Sequence, residues 1–244
     1  MSKTIAFFGA SAGCGLAALR LAVDAGHTCI ALCRTPSKLE AEFPKNPANL
    51  IIKKGNAHSV ADVSACLVKP TNPSELVDIV HFSIGGVLDL KTMTIPDPDV
   101  CKNGIKVLLN ALKELRASGS ATGRPAVFII STTGISKFGR DVPIAFLPMY
   151  HYMLKMPHAD KKVMEELVAA SGERFTLVRP SFLTDGEQTN HKIRVGVEDV
   201  TRGWEKKAIG YTISRGDVGK WMYEQLYLKA DENVYEGKAV TISY

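Results

Sequence analysis

The chain has 244 residues, of which 45% are hydrophobic and 23% charged, and its formal net charge is +5. This ordinary globular composition excludes disordered, collagen-like and disulfide-scaffold proteins. The small positive charge is spread along the chain, so it does not by itself indicate nucleic-acid binding. The length fits one large α/β domain or two small ones.

The cysteines, the N-terminal residues and the lengths of the apolar runs indicate where in the cell the protein is found. Five cysteines without a Cys-x-x-Cys pair argue against a disulfide framework or a structural zinc site, so we expect no metal. The N-terminal residues lack the pattern of a signal peptide, and no apolar run approaches the roughly 18 residues that span a bilayer. We therefore expect a soluble, cytoplasmic protein, a monomer or homodimer, with neither nucleic acid nor a membrane as partner.

Short apolar runs alternate with helical stretches along the whole chain. The first run is followed by glycines and then by leucines at near-helical spacing that end at Gly26. Helices are predicted later at 99–118, 157–171 and 215–228. The predicted strands, each a short apolar run bounded by turn residues, are residues 4–8, 28–33, 51–55, 78–83, 126–130, 175–179 and 239–243.

This alternation is typical of a parallel sheet with helices on both faces. We predict an α/β fold, a Rossmann doubly wound parallel sheet, in which residues 1–244 form a single domain. Residues 184–214 break the rhythm because they are polar and rich in glycine and charge. We interpret them either as a small irregular C-terminal substrate cap over the crevice beyond the strands, or as a surface segment without a role.

A glycine-rich turn lies directly between the first predicted strand and the first predicted helix. Strand, glycine turn and helix in this order predict a dinucleotide site, because bare backbone lets a pyrophosphate approach the N–H groups of the helix. Ala12 stands at the middle glycine position of the Gly-x-x-Gly-x-x-Gly form, with Gly13 beside it. The predicted cofactor-binding residues of this turn are Gly9, Ser11, Ala12, Gly13, Cys14 and Gly15.

The residues after the second strand bear on the choice between NAD and NADP. An NAD-specific site places a carboxylate here, but the first carboxylate is Glu40. Arg34 and Lys38 instead offer two cations for a 2′-phosphate, which favours NADP(H) as the cofactor. The alternative is that these are two solvated charges.

Two further strand ends contribute candidate cofactor contacts. Asn56 and Ala57 follow the third strand and are placed to meet the adenine. Ser83, Ile84 and Gly85 follow the fourth strand and would lie under the nicotinamide ribose. Either pair of assignments could instead be ordinary turn chemistry at a strand end.

Together these residues resemble the short-chain dehydrogenase/reductase superfamily. The nearest resemblance is to its atypical, NmrA-like branch, which includes flavin reductase/biliverdin reductase B. It rests on the glycine turn, on Arg34 with Lys38, and on the segments 131–134, 179–182 and 214–218. Residues 157–162 and 179–186 are also similar to fungal oxidoreductases of aromatic polyketide pathways, including the aflatoxin-type enzymes.

The resemblance implies a catalytic group with one departure. Typical members use a serine after the fifth strand and a Tyr-x-x-x-Lys on the next helix. Thr133 falls at the place of the serine, and Ser131 is a second candidate. His158 stands where the tyrosine would be and Lys162 keeps the place of the lysine. Their i, i+4 spacing puts both on one helix face.

The roles follow from chemistry and from the resemblance. An imidazole titrates near neutrality, so His158 can supply the proton that accompanies hydride transfer. Lys162 would bind the nicotinamide ribose, and Tyr150 is an alternative proton donor from the preceding loop. The alternative for His158 is a structural residue at a helix start. The resemblance also implies cofactor contacts for Thr132, Pro180, Ser181 and Phe182.

Three functions are open from the sequence. The first is an NADPH-dependent reductase of an aromatic or quinone-like small molecule, with a place in fungal polyketide secondary metabolism. The second is an NmrA-like regulator that binds NADP without turnover, which the missing tyrosine favours. The third is a non-redox isomerase or ring-opening enzyme on the same fold.

Overall fold

The computed structural model describes residues 2–86, 96–148 and 154–244. The strands are β1 (Thr4–Phe8), β2 (Thr28–Cys33), β3 (Leu50–Lys54), β4 (Val68–Lys69), β5 (Asn72–Leu76), β6 (Ile79–Phe82), β7 (Ala126–Ile130), β8 (Arg174–Pro180), β9 (Phe182–Thr184), β10 (Arg194–Asp199), β11 (Gly203–Lys206), β12 (Thr212–Ser214) and β13 (Lys238–Ser243). The helices are α1 (Gly13–Asp24), α2 (Pro36–Glu40), α3 (Val60–Leu67), α4 (Val100–Ala117), α5 (Lys155–Ala169) and α6 (Arg215–Met222).

The centre of the described chain is a nine-stranded sheet in the order β11-β10-β13-β8-β7-β6-β1-β2-β3. From β3 to β13 all neighbours are parallel, and β10 and β11 add an antiparallel edge. The chain winds outwards from β1 to β3 and then returns to the other side of β1 through β6. This confirms the predicted Rossmann fold and brings the carboxyl ends of the parallel strands to one edge of the sheet.

Both faces of the sheet are buried, which explains the continuous apolar runs of the sequence. Alternate residues of β1 point to opposite sides: Phe7 packs in a cluster with residues of α1 and α6, whereas Phe8 packs in a cluster with residues of α3, α4 and α5. Burial of apolar area on both faces contributes roughly 25 cal/mol per Å². The helices therefore cover both layers, as the alternating pattern predicts.

Residues 184–214, expected to be irregular, are partly regular in the structure, and their role as a cap stays a prediction. Residues 194–206 are largely a regular hairpin of β10 and β11 that extends the sheet beyond β13, with Val195 opposite Ile242. Gly196 permits the close approach of the chain that follows, since a Cβ there would lie 2.8 Å from the Ala208 nitrogen. Charged residues suit this antiparallel edge strand, which is why the segment lacks the apolar run of a central strand.

Within residues 2–86, 96–148 and 154–244, none of the helices combines the length and apolarity needed to cross a membrane.

A buried histidine lies in the middle of the sheet. His81 on β6 is completely buried, and its Nδ1 lies 2.5 Å from the hydroxyl of Tyr227. The ring also packs against Phe7 at a centroid distance of 5.2 Å. Burial lowers the pKa of His81 to about 3. The ring is therefore neutral in the folded protein throughout the neutral and mildly acidic range.

We expect the free energy of unfolding to fall as the pH drops below about 6.5, because unfolded His81 binds a proton there and folded His81 does not. The contribution of His81 is fully present above its unfolded pKa and is lost as the pH falls towards its folded pKa. Between pH 7 and 4.5, urea denaturation should show that His81→Gln removes on the order of 2 kcal/mol of the pH dependence. Exposed His191→Gln is the control, and an unchanged pH slope in His81→Gln would contradict the assignment.

Candidate active site

The glycine turn packs directly against the end of β6. Gly9 has a φ of 95°, and a Cβ at this position would lie 2.7 Å from the carbonyl carbon of Ser83. A Cβ on Gly15 would lie 2.4 Å from Ser83 Oγ. That hydroxyl donates a hydrogen bond to the carbonyl of Gly9 at 2.9 Å. Packing against the end of β6 therefore requires glycine at positions 9 and 15. The Ser83 side chain stabilises this turn, so binding a ligand is not its only role.

The amino end of α1 is open to an anion. Gly13, its first residue, has a φ of 63°, and the helix has neither a side-chain cap nor an acidic residue in its first turn. The N–H groups of a first helical turn have no partners within the helix, and together with the helix dipole they bind phosphate. Half-buried Ser11 and exposed Ala12 lie immediately before them. The turn fits the diphosphate of a dinucleotide.

Cys14 contributes packing at this turn. Its side chain is buried in the cluster that includes Leu19 and Val218. Burial raises the pKa of the Cys14 thiol to about 12, against the opposing charges of Arg215 and Lys161. The thiol is therefore protonated at neutral pH and is unreactive.

The two predicted cations lie at the surface beyond the end of β2. Arg34 and Lys38 are both exposed, directly after β2 and within α2. The N–H of Gly55 donates to the carbonyl of Cys33 at 3.0 Å, which keeps the β3 turn beside Arg34. The two charges thus lie on the same side of the sheet edge as the glycine turn.

Asn56 and Ala57 follow Gly55 in a compact turn. The N–H of Asn56 donates to the carboxylate of Asp62 at 2.8 Å, and its side-chain oxygen accepts from the N–H of His58 at 3.0 Å. Ala57 is half-buried against the cluster below. The Asn56 side chain therefore shapes the turn, and its predicted contact with adenine stays a prediction. Ile84 and Gly85, after β6, lie at the same edge, with Gly85 exposed.

Helix α5 is fixed against two neighbours by buried carboxylates. Asp160 accepts hydrogen bonds from the N–H groups of Cys101 and Lys102 at 2.8 Å each, and so caps α4. Glu165 forms a two-point contact with Arg179 of β8, at 2.9 and 2.6 Å. These contacts hold α5 at a fixed rotation between α4 and β8, which determines which of its side chains face the strand ends.

Lys161 lies at the strand ends. Its ammonium group donates to the carbonyl of Ile130, the last residue of β7, at 2.8 Å. Its charge opposes the effect of burial on the thiols of Cys14 and Cys101, at the starts of α1 and α4. Lys161 therefore occupies the space between the glycine turn and β7.

Lys162, the predicted lysine, faces elsewhere. It is exposed and lines a small cavity with Glu165, Glu166 and Arg179, away from the glycine turn. Of these two lysines, one position apart on α5, Lys161 thus reaches the end of β7, and the predicted role of Lys162 stays a prediction. Because α5 turns by 100° per residue, this change of one position separates the two side chains by more than a quarter of a turn. Pro157 lies four residues before Lys161.

The polar groups after β7 differ in their surroundings. Thr133 is buried, and both its N–H and its hydroxyl donate to the carbonyl of Pro180, at 3.2 and 3.4 Å. Thr132 is half-buried, and its hydroxyl donates to the carbonyl of Thr133. Ser131 Oγ is buried without a hydrogen-bond partner among the described residues. Of the two candidates for the serine, Ser131 has the hydroxyl that is open to a further contact.

The end of β8 also carries a buried polar group. Ser181 is buried, and its Oγ also finds no hydrogen-bond partner in the described ranges. A buried hydroxyl without a partner costs free energy, so these two groups on adjacent strand ends are candidates to bind a ligand. Phe182 follows and is 42% exposed. Its ring contacts Phe146 edge to face, and Phe146 contacts Tyr211 in the same way.

His158 lies on α5 beside the site. It is half-buried, and its Nε2 is buried. Tyr150, the alternative proton donor, lies outside the described residues. The role of either residue as the acid stays a prediction. Among the described residues, no group of three or more His, Cys, Asp or Glu side chains is placed to hold a metal ion.

The comparisons with known proteins agree with this geometry. A family model described as NAD(P)H-binding matches residues 9–228. The chain belongs to this family. The reductase pytE of Aspergillus terreus is 42% identical, with 99% of this chain and 98% of that protein covered. The oxidase pynE of Aspergillus niger is 31% identical, with 93% and 94% covered. The predicted NAD(P)-dependent oxidoreductase is thereby confirmed.

Solved structures share the fold at low identity. A short-chain dehydrogenase/reductase of Veillonella parvula, solved in complex with NADP, has a TM-score of 0.75 at 13% identity and covers 100% of this chain and 95% of that chain. An anaerobilin reductase of Escherichia coli O157:H7 has a TM-score of 0.67 at 14% identity, with 98% and 96% covered. These neighbours support the Rossmann fold.

Sequence reasoning missed Lys161, Asp160 and the arrangement that selects them. A signal was present, because Met164 and Val168 mark the buried face of α5 and Lys161 lies on that face at helical spacing. The motif Tyr-x-x-x-Lys, with histidine in place of tyrosine, instead led to Lys162. The helical face was the better guide to which lysine points inwards.

We expect Lys161→Met to lower kcat/KM by about 10- to 100-fold, as for loss of a charge-assisted hydrogen bond. Methionine keeps most of the stem, so the packing of α5 should change little. Lys162→Met is the matched control and should stay within about twofold of the unchanged protein by the small effect typical of exposed charges. Steady-state kinetics with NADPH checks this, and equal losses in the two variants would contradict the assignment of Lys161.

Proposed function

We propose that this protein is an NADPH-dependent reductase that acts on an aromatic or quinone-like small molecule. The observation that supports this most is the meeting of the uncapped glycine turn and Lys161 at the carboxyl edge of the sheet, where the winding reverses. Ligands bind at this switch point in doubly wound sheets. The relative that is named a reductase supports the same direction of reaction.

The preference for NADPH is supported by the two cations after β2. Arg34 and Lys38 are exposed and no carboxylate ends β2, so a 2′-phosphate would find opposite charge rather than repulsion. A guanidinium can form two parallel hydrogen bonds to a phosphate, whereas a lysine acts as a point charge. Arg34 is thus the main determinant of the preference, with Lys38 in support.

When bound, the nicotinamide supplies the hydride, and the protein's residues orient the reactants and provide the proton. The ammonium of Lys161 lies where it can hold the nicotinamide ribose. The unpartnered hydroxyls of Ser131 and Ser181 can donate to the carboxamide or to a substrate oxygen. His158 is the proposed acid, since an imidazole titrates near neutral pH.

An aromatic substrate is supported by exposed rings near the end of β8. Phe182 follows β8, and together with Phe146 and Tyr211 it forms a cluster of edge-to-face contacts. Phe182 and Tyr211 are 42% and 53% exposed, so they present apolar faces on which a flat molecule could stack. The resemblance of residues 157–162 and 179–186 to fungal oxidoreductases of polyketide pathways supports a place in secondary metabolism. A cytoplasmic location and a monomeric or homodimeric state stay predictions.

A second function is favoured by one observation. Pro157 lies four residues before Lys161, and proline has no proton to donate. An NADP-binding regulator without turnover would need the glycine turn and Lys161 but no acid. The relative named an oxidase leaves the opposite direction of hydride transfer as a further outcome.

We expect Arg34→Ala to raise the KM for NADPH by more than tenfold and to leave that for NADH within about twofold, because only NADPH carries the 2′-phosphate. Lys38→Ala should change the KM for NADPH in the same direction by a smaller factor. Initial rates with each cofactor, at a fixed concentration of the best substrate, measure both. An equal loss for NADPH and NADH would refute this role of Arg34.

NADPH consumption with a panel of flavins, quinones and anthraquinones tests the reductase directly. Turnover with a member of the panel supports it, whereas tight NADPH binding without turnover on any of them supports the regulator. With an active substrate, His158→Ala should lower kcat by about 10²- to 10⁴-fold, the usual contribution of a general acid. Full turnover in His158→Ala would exclude His158 and leave Tyr150 as the next candidate.

A further inference from the structure

Arg215 places a cation beside the glycine turn, at the end of α1 rather than at β2. It is the first residue of α6, and its side chain lies beside Gly13, the first residue of α1. A Cβ on Gly13 would lie 3.4 Å from Arg215 Cδ and 3.7 Å from its Nε. The Arg215 side chain thus lies beside Gly13, close enough that a side chain at position 13 would contact it.

The start of α6 is held firmly beside α1. Ser214 Oγ accepts from the N–H of Asp217 at 3.0 Å, which caps the helix. The carboxylate of Asp217 in turn accepts from the N–H and the hydroxyl of Thr189 at 2.9 and 2.6 Å. A Cβ on Gly219 would lie 2.6 Å from Ala17 Cβ, so α6 and α1 touch directly. The backbone of Arg215 therefore has a fixed distance from the glycine turn.

The charge of Arg215 has an easily exchanged partner. Its Nη1 lies 2.6 Å from Asp185 Oδ1, but the Asp185 side chain is 99% exposed and that of Arg215 is 36% exposed. Such a solvated pair contributes little to stability. The charge also reaches the first turn of α1, where it opposes the effect of burial on the pKa of Cys14.

We propose that Arg215 is a further cofactor-binding residue that holds the diphosphate common to NADP(H) and NAD(H), with Asp185 as its competing partner. This rests on the proposed function only in placing a dinucleotide at the glycine turn. A guanidinium binds phosphate oxygens through two parallel hydrogen bonds and retains its charge at every relevant pH. In this arrangement Arg215 binds the diphosphate of the cofactor, and Arg34 binds its 2′-phosphate.

The experiment separates the two phosphates with two fragments of the cofactor. ADP-ribose carries the diphosphate without a 2′-phosphate, and 2′-AMP carries the 2′-phosphate without a diphosphate. By isothermal titration calorimetry, Arg215→Met should weaken ADP-ribose, NADH and NADPH about tenfold each, the usual loss of a charge-assisted contact, and leave 2′-AMP within about twofold. Arg34→Ala should show the reverse pattern for the two fragments.

Two further variants make the test specific. Asp185→Asn removes the competing partner and should leave the affinity for ADP-ribose unchanged or tighten it by about two- to threefold, a change on the scale of an exposed pair. Arg20→Met is the matched control, because Arg20 lines the same groove on α1 but pairs with Glu42. It should leave both fragments unaffected. The thermal midpoint of each variant confirms that it is folded.

Each result decides the proposal. If folded Arg215→Met binds ADP-ribose and NADH as tightly as the unchanged protein, or if Asp185→Asn weakens them, the role of Arg215 is refuted while NADPH turnover leaves the proposed function intact. If Arg20→Met weakens ADP-ribose as much as Arg215→Met does, the effect is general charge rather than a contact. If the unchanged protein binds neither ADP-ribose nor NADPH, both proposals fall together.

Discussion

The site depends on one buried guanidinium. Arg179 on β8 is 4% exposed and lies between Glu165 of α5 and Glu198 of β10, with N–O distances of 2.6 and 2.9 Å. Ser136, in the loop after β7, donates to the other oxygen of Glu198 at 2.6 Å. One side chain therefore joins β8, α5, the antiparallel edge and the loop that follows Ser131. Removal of one partner of such a buried group typically costs about 3–5 kcal/mol, because a charge is left uncompensated.

That contact and the Asp160 cap together set the rotation of α5. Both are carboxylates on one helix, directed to opposite neighbours, and Lys161 lies between them in sequence. The rotation decides that Lys161 reaches the carbonyl of Ile130 while Lys162 remains at the surface. The position of the Lys161 ammonium group thus follows from helix packing, and the positive groups near the strand ends are divided among α5, the turn after β2 and α6 rather than gathered on one element.

Much of the fold could be predicted because its strands are buried on both faces. Residues 4–8, 28–33 and 126–130 were predicted with the bounds that the structure gives, since runs such as Ala126–Ile130 are apolar throughout. The hairpins of β4 with β5 and of β10 with β11 escaped prediction. The first hairpin is a separate two-stranded sheet, and the second lies at the edge of the large sheet. Polar residues are tolerated in such strands, so the sequence shows neither an apolar run nor a regular alternation of polar and apolar residues.

The sequence by itself determined the glycine turn, its place between β1 and α1, and the absence of a carboxylate after β2, because each is a local property of contiguous residues. Only the tertiary structure shows that Lys161 rather than Lys162 reaches the end of β7, that the Ser131 hydroxyl is buried without a hydrogen-bond partner among the described residues, and that Arg215 lies beside Gly13. These depend on contacts between residues tens to hundreds of positions apart. A motif gives the spacing along a helix, whereas the packing of that helix against its neighbours gives the direction in which each side chain points.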